Sequence, residues 1–208
     1  AELVSSGALG EAASEAVPLI AIEGHTTHQE SGSRAGGIQV YGVDARFWEF
    51  HGLEPGDRVP EAGEVLVSEG LARELGLSTD ETLLVRVQKP SSIPVSSLHG
   101  RRDDLGQTMR LRVQAVLGPD ELGAFSFRPQ QGVARAVFVQ LGRMQRELEL
   151  EAQANTLLLG GSLTKDAPAS VEVIETALRA TTRLGDLGLR VRELDPQGVL
   201  VVESVAGL

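Results

Sequence analysis

The most constraining feature of the sequence is the alternation of apolar residues with mostly polar ones from Met109 to Leu117. The residues on one side of this pattern are Met109, Leu111, Val113, Ala115 and Leu117. Because successive side chains of a strand point to opposite faces, the pattern predicts a half-buried antiparallel strand with a mostly polar outer face. Such a strand requires a sheet that packs one face on a core and leaves the other in water.

Other strand and helix signals alternate along the chain, which favours the α+β class. The polar stretch 25–37 is predicted to be a loop between the first two strands. Phe47 and Phe50 are three residues apart and are predicted to share one face of a short helix that anchors it. Strands are predicted at residues 17–23, 38–43, 65–67, 83–87, 109–117, 134–140, 155–160, 189–191 and 199–202. Helices are predicted after the N-cap Asp44, after the N-cap Ser68 with a stop at Gly76, at 141–148 and at 171–181.

Composition excludes several functional classes. The 208 residues carry a formal net charge of -10, so the overall basic character typical of nucleic-acid or anionic-membrane binding is absent. Cysteine is absent, which excludes a disulfide scaffold, a thiolate zinc site and a cysteine nucleophile. No apolar run reaches the 18 or so residues of a membrane helix.

His25 and His28 are the best candidates for metal binding, because two imidazoles three residues apart could share an ion. The alternative is a polar surface loop. No third ligand lies at a diagnostic spacing, so we expect neither a bound metal nor a cofactor. A nucleophile elbow and a phosphate-binding glycine loop are also missing from the sequence, so we expect a protein that is not an enzyme.

Phe125 and Phe127 lie in a segment bounded by glycine and proline, and they point to the same side if that segment is extended. Two interpretations are open for this pair. Both rings can belong to the core, or they can form an exposed edge that docks a partner or cargo.

The segment Pro90–Thr108 has no periodicity and is unusually long for a loop in a compact domain. It contains Arg101 and Arg102, followed by two aspartates. Loops of this length are either functional or disordered, and the functional interpretation makes Arg101 and Arg102 candidates for contact with a partner or cargo.

Several blocks resemble the extracytoplasmic domain of MacB-like permeases of ABC transporters, which belong to the FtsX-like family. The first block, Val40–Gly52, resembles the "GV-polar-x-x-F/Y-F" signature of that family. The later blocks follow in the family's order and are Gly63–Gly76, Arg112–Leu117, Ala136–Met144 and Asn155–Leu159. The resemblance covers roughly residues 17–194.

The sequence departs from the family pattern at some positions. Asp80 and Glu81 stand where the family usually has Val-Gly-Asp, and Gln140 replaces the usual proline before a helix. The Pro90–Thr108 loop is longer than in the exporter for which the family is named. The partners of that exporter are therefore not transferred to this chain.

The resemblance implies a MacB-like core domain with two lobes. Residues 1–60 and 145–208 would form a split βαβ lobe, and residues 61–144 an inserted strand-rich lobe. The domain would lie outside the cytoplasmic (inner) membrane, joined to membrane helices of its own parent permease on either side. These helices would connect it to a cytoplasmic ABC ATPase, in a complex that contains a permease dimer.

The implied function is to couple ATP-driven movement of membrane helices to export or release of cargo, with a periplasmic or extracellular protein as a further partner. The alternative is an extracytoplasmic module that binds a small ligand or a protein without a role in transport.

The Pro90–Thr108 loop yields the first testable prediction. Its two prolines and its adjacent charges are costly to bury. We expect trypsin to cleave first after Arg101 or Arg102 while the rest of the chain stays folded. Deleting the loop should leave the melting temperature nearly unchanged and weaken transport by the full permease. An unfolded deletion variant, or a first cleavage elsewhere, would contradict the prediction.

Overall fold

A computed structural model of the chain describes residues 15–88, 106–127, 132–160, 171–184, 189–194 and 199–204. The strands are β1 (Glu15–His28), β2 (Arg34–Val43), β3 (Glu64–Ser68), β4 (Thr82–Gln88), β5 (Gly106–Leu117), β6 (Ala136–Gln140), β7 (Thr156–Gly160), β8 (Leu189–Leu194) and β9 (Val199–Ser204). The α-helices are α1 (Ala45–Phe50), α2 (Glu69–Leu75), α3 (Leu141–Leu148) and α4 (Val171–Thr181). Single 3-10 turns lie at Gly56–Arg58 and Pro119–Glu121. The predicted α+β class is confirmed.

Six strands form a closed ring in the order β2-β6-β3-β5-β4-β1, because β1 pairs with β2 as well as with β4. The β2–β6 and β3–β5 pairs are parallel. The other four pairs are antiparallel. Strand β7 lies beside β1 outside the ring. Closure leaves none of the six strands as a free edge.

Closure depends on the bend in β1. The register of β1 against β2 shifts between Gly24 and His25, and from Gly24 onward β1 also pairs with β4. A Cβ on Gly24 would lie 2.8 Å from the carbonyl oxygen of Arg86 and 2.9 Å from a methyl carbon of Val40. Only glycine allows the two neighbouring strands to approach this closely.

The inner core fills the ring with alternate residues of all six strands. It is sealed by the apolar faces of helices α2 and α3. Its members on the strands are Ile20, Ala35, Ile38, Val40, Val65, Val67, Leu83, Val85, Val87, Met109, Leu111, Val113, Val137 and Val139. The alternation predicted for β5 is therefore confirmed from Met109 to Val113. Burial of this aliphatic surface is the main favourable contribution to the stability of the ring.

A second, outer core lies on the opposite face of β2, β6 and β3. Helix α1 and residues 118–125, which we call the covering segment, pack on this face. Phe47 and Trp48 are fully buried, whereas Phe50 is only half-buried. Phe47 anchors the helix as predicted, but the second fully buried ring is that of Trp48 and not that of Phe50. Trp48 packs on Phe138 with ring centroids 5.6 Å apart, so the prediction is only partly right.

The helix ends follow the chemistry of the sequence. The Asp44 side chain accepts a hydrogen bond from the Arg46 N–H at the start of α1. Ser68 accepts from the Leu71 N–H at the start of α2, and Gly76 ends that helix in the left-handed conformation, with φ of 66°. These caps agree with the predictions for Asp44, Ser68 and Gly76.

Two predicted loop boundaries are wrong. Strand β1 runs through His28, and β2 begins at Arg34, so only residues 29–33 of the predicted 25–37 loop connect them. Strand β5 begins at Gly106 and pairs with β4 there, so 106–108 belong to a strand, and a deletion that spares the melting temperature must stop before Gly106. Polar residues can belong to both strands because pairing with a neighbouring strand satisfies their backbone N–H and C=O groups.

The strands are grouped differently from the two predicted lobes. Val17–Lys89 and Gly106–Leu159 form one compact unit. Residues on both sides of each predicted boundary, near 60 and near 145, belong to its single sheet. The sequence cannot show this grouping, because the parallel pairing of β2 with β6 joins residues about a hundred positions apart.

The rest of the chain, Ala1–Ala16, Pro90–Leu105 and Gly160–Leu208, is assigned to a second unit. Its described elements are helix α4 and the antiparallel β8–β9 hairpin. Val191, Leu200 and Val202 of the hairpin are exposed. Across the part of the chain that the structure describes, no helix combines the length and apolar character needed to cross a membrane.

The bend in β1 yields a prediction about stability. Gly24→Ala should lower the free energy of unfolding by about 1–3 kcal/mol, because its Cβ would be forced against the Arg86 backbone. Gly63→Ala is the matched control, since its Cβ would meet no atom within 4 Å. Urea denaturation of both variants tests this. Equal stability of the two variants would show that the close approach at Gly24 does not constrain the ring.

Candidate functional site

The two histidines singled out from the sequence lie on opposite faces of β1. His25 is exposed, and His28 is buried with 4% of its side chain accessible. Two residues three apart on a strand cannot point the same way, so His25 and His28 do not converge on one ion. Within the described residues, no group of three or more His, Cys, Asp or Glu side chains could hold a metal ion.

His28 instead lies in a cluster of polar side chains. Its Nε2 atom is 2.9 Å from Glu30 Oε2 and 3.4 Å from Glu81 Oε2. Its Nδ1 atom is 2.8 Å from the hydroxyl of Ser31. One buried imidazole thus connects the β1–β2 turn to the residue that precedes β4.

Backbone N–H groups hold both carboxylates in place. The Thr82 N–H donates to Glu30, and the Ser78 N–H donates to Glu81 at 2.6 Å. Desolvation acts to raise the pKa of Glu30. This effect is outweighed by hydrogen bonds from the N–H groups of Glu30 and Thr82 and by the charge of His28, so the pKa of Glu30 lies below its usual value of 4.5. The cluster has the character of a structural clamp. We name it the His28 clamp, consisting of His28, Glu30, Ser31 and Glu81.

The sequence pattern indicates His28 but gives no sign of its contact with Glu81. Glu81 lies more than fifty positions after His28 and was recognised only as a departure from the family pattern. No local spacing connects the two residues. Only the antiparallel pairing of β1 with β4 brings them together.

Phe125 and Phe127, the predicted contact pair, both lie against Tyr41. Their ring centroids are 5.2 Å and 5.8 Å from that of Tyr41. Phe125 is partly buried and packs on the outer core, whereas 44% of Phe127 is exposed. The core interpretation therefore describes Phe125. Phe127 presents an accessible aromatic edge, and its contact with a partner or cargo stays a prediction.

An ion pair helps to position the covering segment that leads to these two rings. Arg58 Nη2 is 3.0 Å from Glu121 Oε1, which joins the segment to the turn at Gly56–Arg58. The hydrogen bond from Arg58, with a second from the Gly118 N–H, lowers the pKa of Glu121. Arg101 and Arg102, the other predicted contact residues, lie outside the described residues.

Comparison with known proteins gives structural similarity without a sequence match. No family model and no curated protein matches the chain. Among solved structures, the chain is similar to the extracellular domain of the noncanonic ABC-type transporter YknZ from Gram-positive bacteria. The identity is 10% and the TM-score 0.49, over 98% of this chain and 88% of that one.

The chain is also similar to the periplasmic region of MacB from Actinobacillus actinomycetemcomitans. Here the identity is 9% and the TM-score 0.46, over 98% of this chain and 78% of that one. The resemblance predicted from the sequence is thus matched by solved structures of the same kind.

The His28 clamp yields a prediction about stability. His28→Gln should lower the free energy of unfolding at pH 7 by about 1–3 kcal/mol, because the buried imidazole that hydrogen-bonds Ser31 and lies against Glu30 and Glu81 is lost. Adding Glu30→Gln should recover part of the loss. His25→Gln, an exposed change on the same strand, is the control and should be nearly neutral.

The same cluster should respond to acid. The pKa of Glu30 is lowered by folding, so the stability from its carboxylate is present above pH 4.5 and is lost as pH falls through the lowered value. The stability difference between the native chain and Glu30→Gln should therefore shrink in acid. A difference that stays constant between pH 7 and about pH 3 would contradict this.

Proposed function

We propose that the chain is the extracytoplasmic domain of an ABC-transporter permease, and that it couples ATP-driven movement of membrane helices to export or release of cargo. One observation carries the proposal. The blocks that resemble the family coincide, in order, with β2–α1, β3–α2, the second half of β5, β6–α3 and β7. All of these strands belong to one sheet.

The architecture of the ring suits a mechanical role. Its closed sheet is packed from inside by the inner core and on its β2-β6-β3 sector by the outer core. Close-packed interiors have low compressibility and pass on a displacement applied at one end. A domain of this kind moves as a rigid body, which is one of the recurring ways in which proteins transmit a change of state.

The proposed partners follow from this role. They are the membrane helices of the parent permease, an ABC ATPase on the cytoplasmic side and a second permease. The exposed ring of Phe127, with Arg101 and Arg102, is proposed to contact a periplasmic or extracellular protein or cargo.

We also propose that the domain is not an enzyme. Two buried or half-buried histidines have evident structural tasks. His28 forms the clamp, and the Nδ1 atom of His51 lies 2.8 Å from the carbonyl oxygen of Phe47 at the end of α1.

Labelling of cells tests the location. Since these 208 residues contain no cysteine, Thr79→Cys, made in the complete polypeptide with any cysteine elsewhere replaced by serine, places one thiol at an exposed position. A membrane-impermeant maleimide should label it in intact cells, after the outer membrane, where present, has been made permeable. Ala136→Cys, which is fully buried, is the control and should stay unlabelled. An ABC ATPase should purify with the labelled protein.

Labelling that requires rupture of the cytoplasmic membrane would place the domain on the wrong side and overturn the proposal. Correct labelling without an ATPase would favour the alternative of an extracytoplasmic interaction module. If Ala136→Cys is labelled in intact cells, that variant is unfolded. Labelling at a second exposed position, Gln88→Cys, would then decide on which side of the membrane the domain lies.

A further inference from the structure

A side chain holds the point at which strand β7 begins. The Ala21 N–H donates a hydrogen bond to Asn155 Oδ1 at 2.9 Å, and the Asn155 Nδ2 group donates to the carbonyl oxygen of Ala21 at 2.9 Å. A carboxamide carries one donor group and one acceptor, as a peptide unit does. It therefore takes the place of a strand residue on the edge of β1. We call these two hydrogen bonds the Asn155 clasp.

The clasp fixes the direction of β7. One edge of β1 pairs with β2, and from Gly24 onward the other edge pairs with β4. On that second edge the clasp occupies Ala21. Strand β7 starts at the next residue after Asn155, so it lies beside the part of β1 that precedes Ala21 and runs antiparallel to it. Its far end, Gly160, thus lies beside the start of β1.

The ring is complete without β7. Strand β1 closes it by pairing with β2 over Ile20–Thr27 and with β4 over Gly24–His28. Among the strands that the structure describes, β7 pairs with β1 alone. Separation of β7 from β1 therefore breaks no strand pair of the ring.

Burial holds β7 less firmly than it holds the strands of the ring. All five residues of β7 are half-buried, whereas four of the five residues of β6 are fully buried. Leu158 packs against the outer core, and it does so from a half-buried position. Segments with few buried apolar contacts open at a lower free energy than the whole domain unfolds.

The two ends of β7 differ in what secures them. The end at Gly160 has no side chain, whereas the other end is secured by the two hydrogen bonds of the clasp. Hydrogen bonds of an antiparallel pair lie perpendicular to the strands, so a pull at Gly160 loads them one after another in the direction of the clasp. Separation of all five residues frees about 16 Å of chain, at 3.3 Å per residue.

We propose that β7 is a detachable strap. It separates from β1 from Gly160 back to Thr156 while the ring stays closed, and the Asn155 clasp is the stop at which the separation ends. A displacement applied through the chain beyond Gly160 takes up the freed length before it acts on the ring. The inference goes beyond the proposed transport role and does not depend on it.

Hydrogen exchange of single amides, followed by NMR on the native 208-residue chain, tests the strap. The hydrogen-bonded amides of β7 should exchange about tenfold faster or more than those of β6, because they open without the ring. The Ala21 amide should exchange as slowly as the ring. Amides of β7 that are as slow as those of β6 would overturn the strap. An Ala21 amide that is as fast as those of β7 would overturn the stop.

A variant tests the role of the carboxamide. Asn155→Asp keeps the size of the side chain but loses the donor to the Ala21 carbonyl oxygen. It should speed exchange of the Ala21 amide about tenfold and leave the amides of β6 unchanged. Gln153→Glu is the matched control, since it adds the same charge at a nearby exposed position and should leave Ala21 unchanged.

Three results of this comparison bear on the clasp. Unchanged exchange at Ala21 in Asn155→Asp would overturn its role as a stop. Equal acceleration in both variants would also overturn it, because the effect would then be one of charge. If circular dichroism shows that Asn155→Asp is unfolded, the order of exchange in the native chain, with β7 fast and Ala21 slow, decides for or against the proposal.

Discussion

The structure depends on a single strand that pairs with two neighbours. Strand β1 is 14 residues long and joins β2 to β4, and it can do both because it bends at Gly24. Without this bend β1 could pair with only one of the two, and the sheet would be open with the other strand at its edge. Closure satisfies those backbone groups and encloses the inner core, so the aliphatic interior is a consequence of the geometry of β1.

The end of β1 is secured by polar contacts. Thr26 and His28 point into the structure, where the Thr26 hydroxyl donates to the carbonyl oxygen of Leu84 and the His28 imidazole lies against Glu30 and Glu81. Buried polar groups are tolerated when they have partners, and two of the partners here, Leu84 and Glu81, lie on β4 or just before it. The His28 clamp therefore reinforces the β1–β4 pairing that closes the ring.

Local pattern predicted much of the fold. The alternation in β5, the caps at Asp44 and Ser68 and the stop at Gly76 are properties of a few neighbouring residues, and each is found in the structure. The continuation of β1 to His28 could not be predicted, because the contact of Thr26 with Leu84 and that of His28 with Glu81 join residues more than fifty positions apart. The exposure of Phe127 beside the partly buried Phe125 likewise depends on Tyr41, which no local spacing connects to either ring.

The outside of the ring is divided into two sectors of different chemistry. On β2, β6 and β3, the outer core and the covering segment hide much of the outward face, and the ring of Phe127 is exposed at its rim. The first half of β1 and the end of β5 add Val17, Leu19 and Leu117 to this covered sector. Along β4, and along the rest of β1 and β5, the outward residues are mostly polar or charged. Strand β2 belongs to both sectors, since its C-terminal half packs Tyr41 and Val43 on the outer core while its first residue, Arg34, is exposed. A partner that covers the aromatic ring of Phe127 would thus extend the covered sector and leave the polar sector in water.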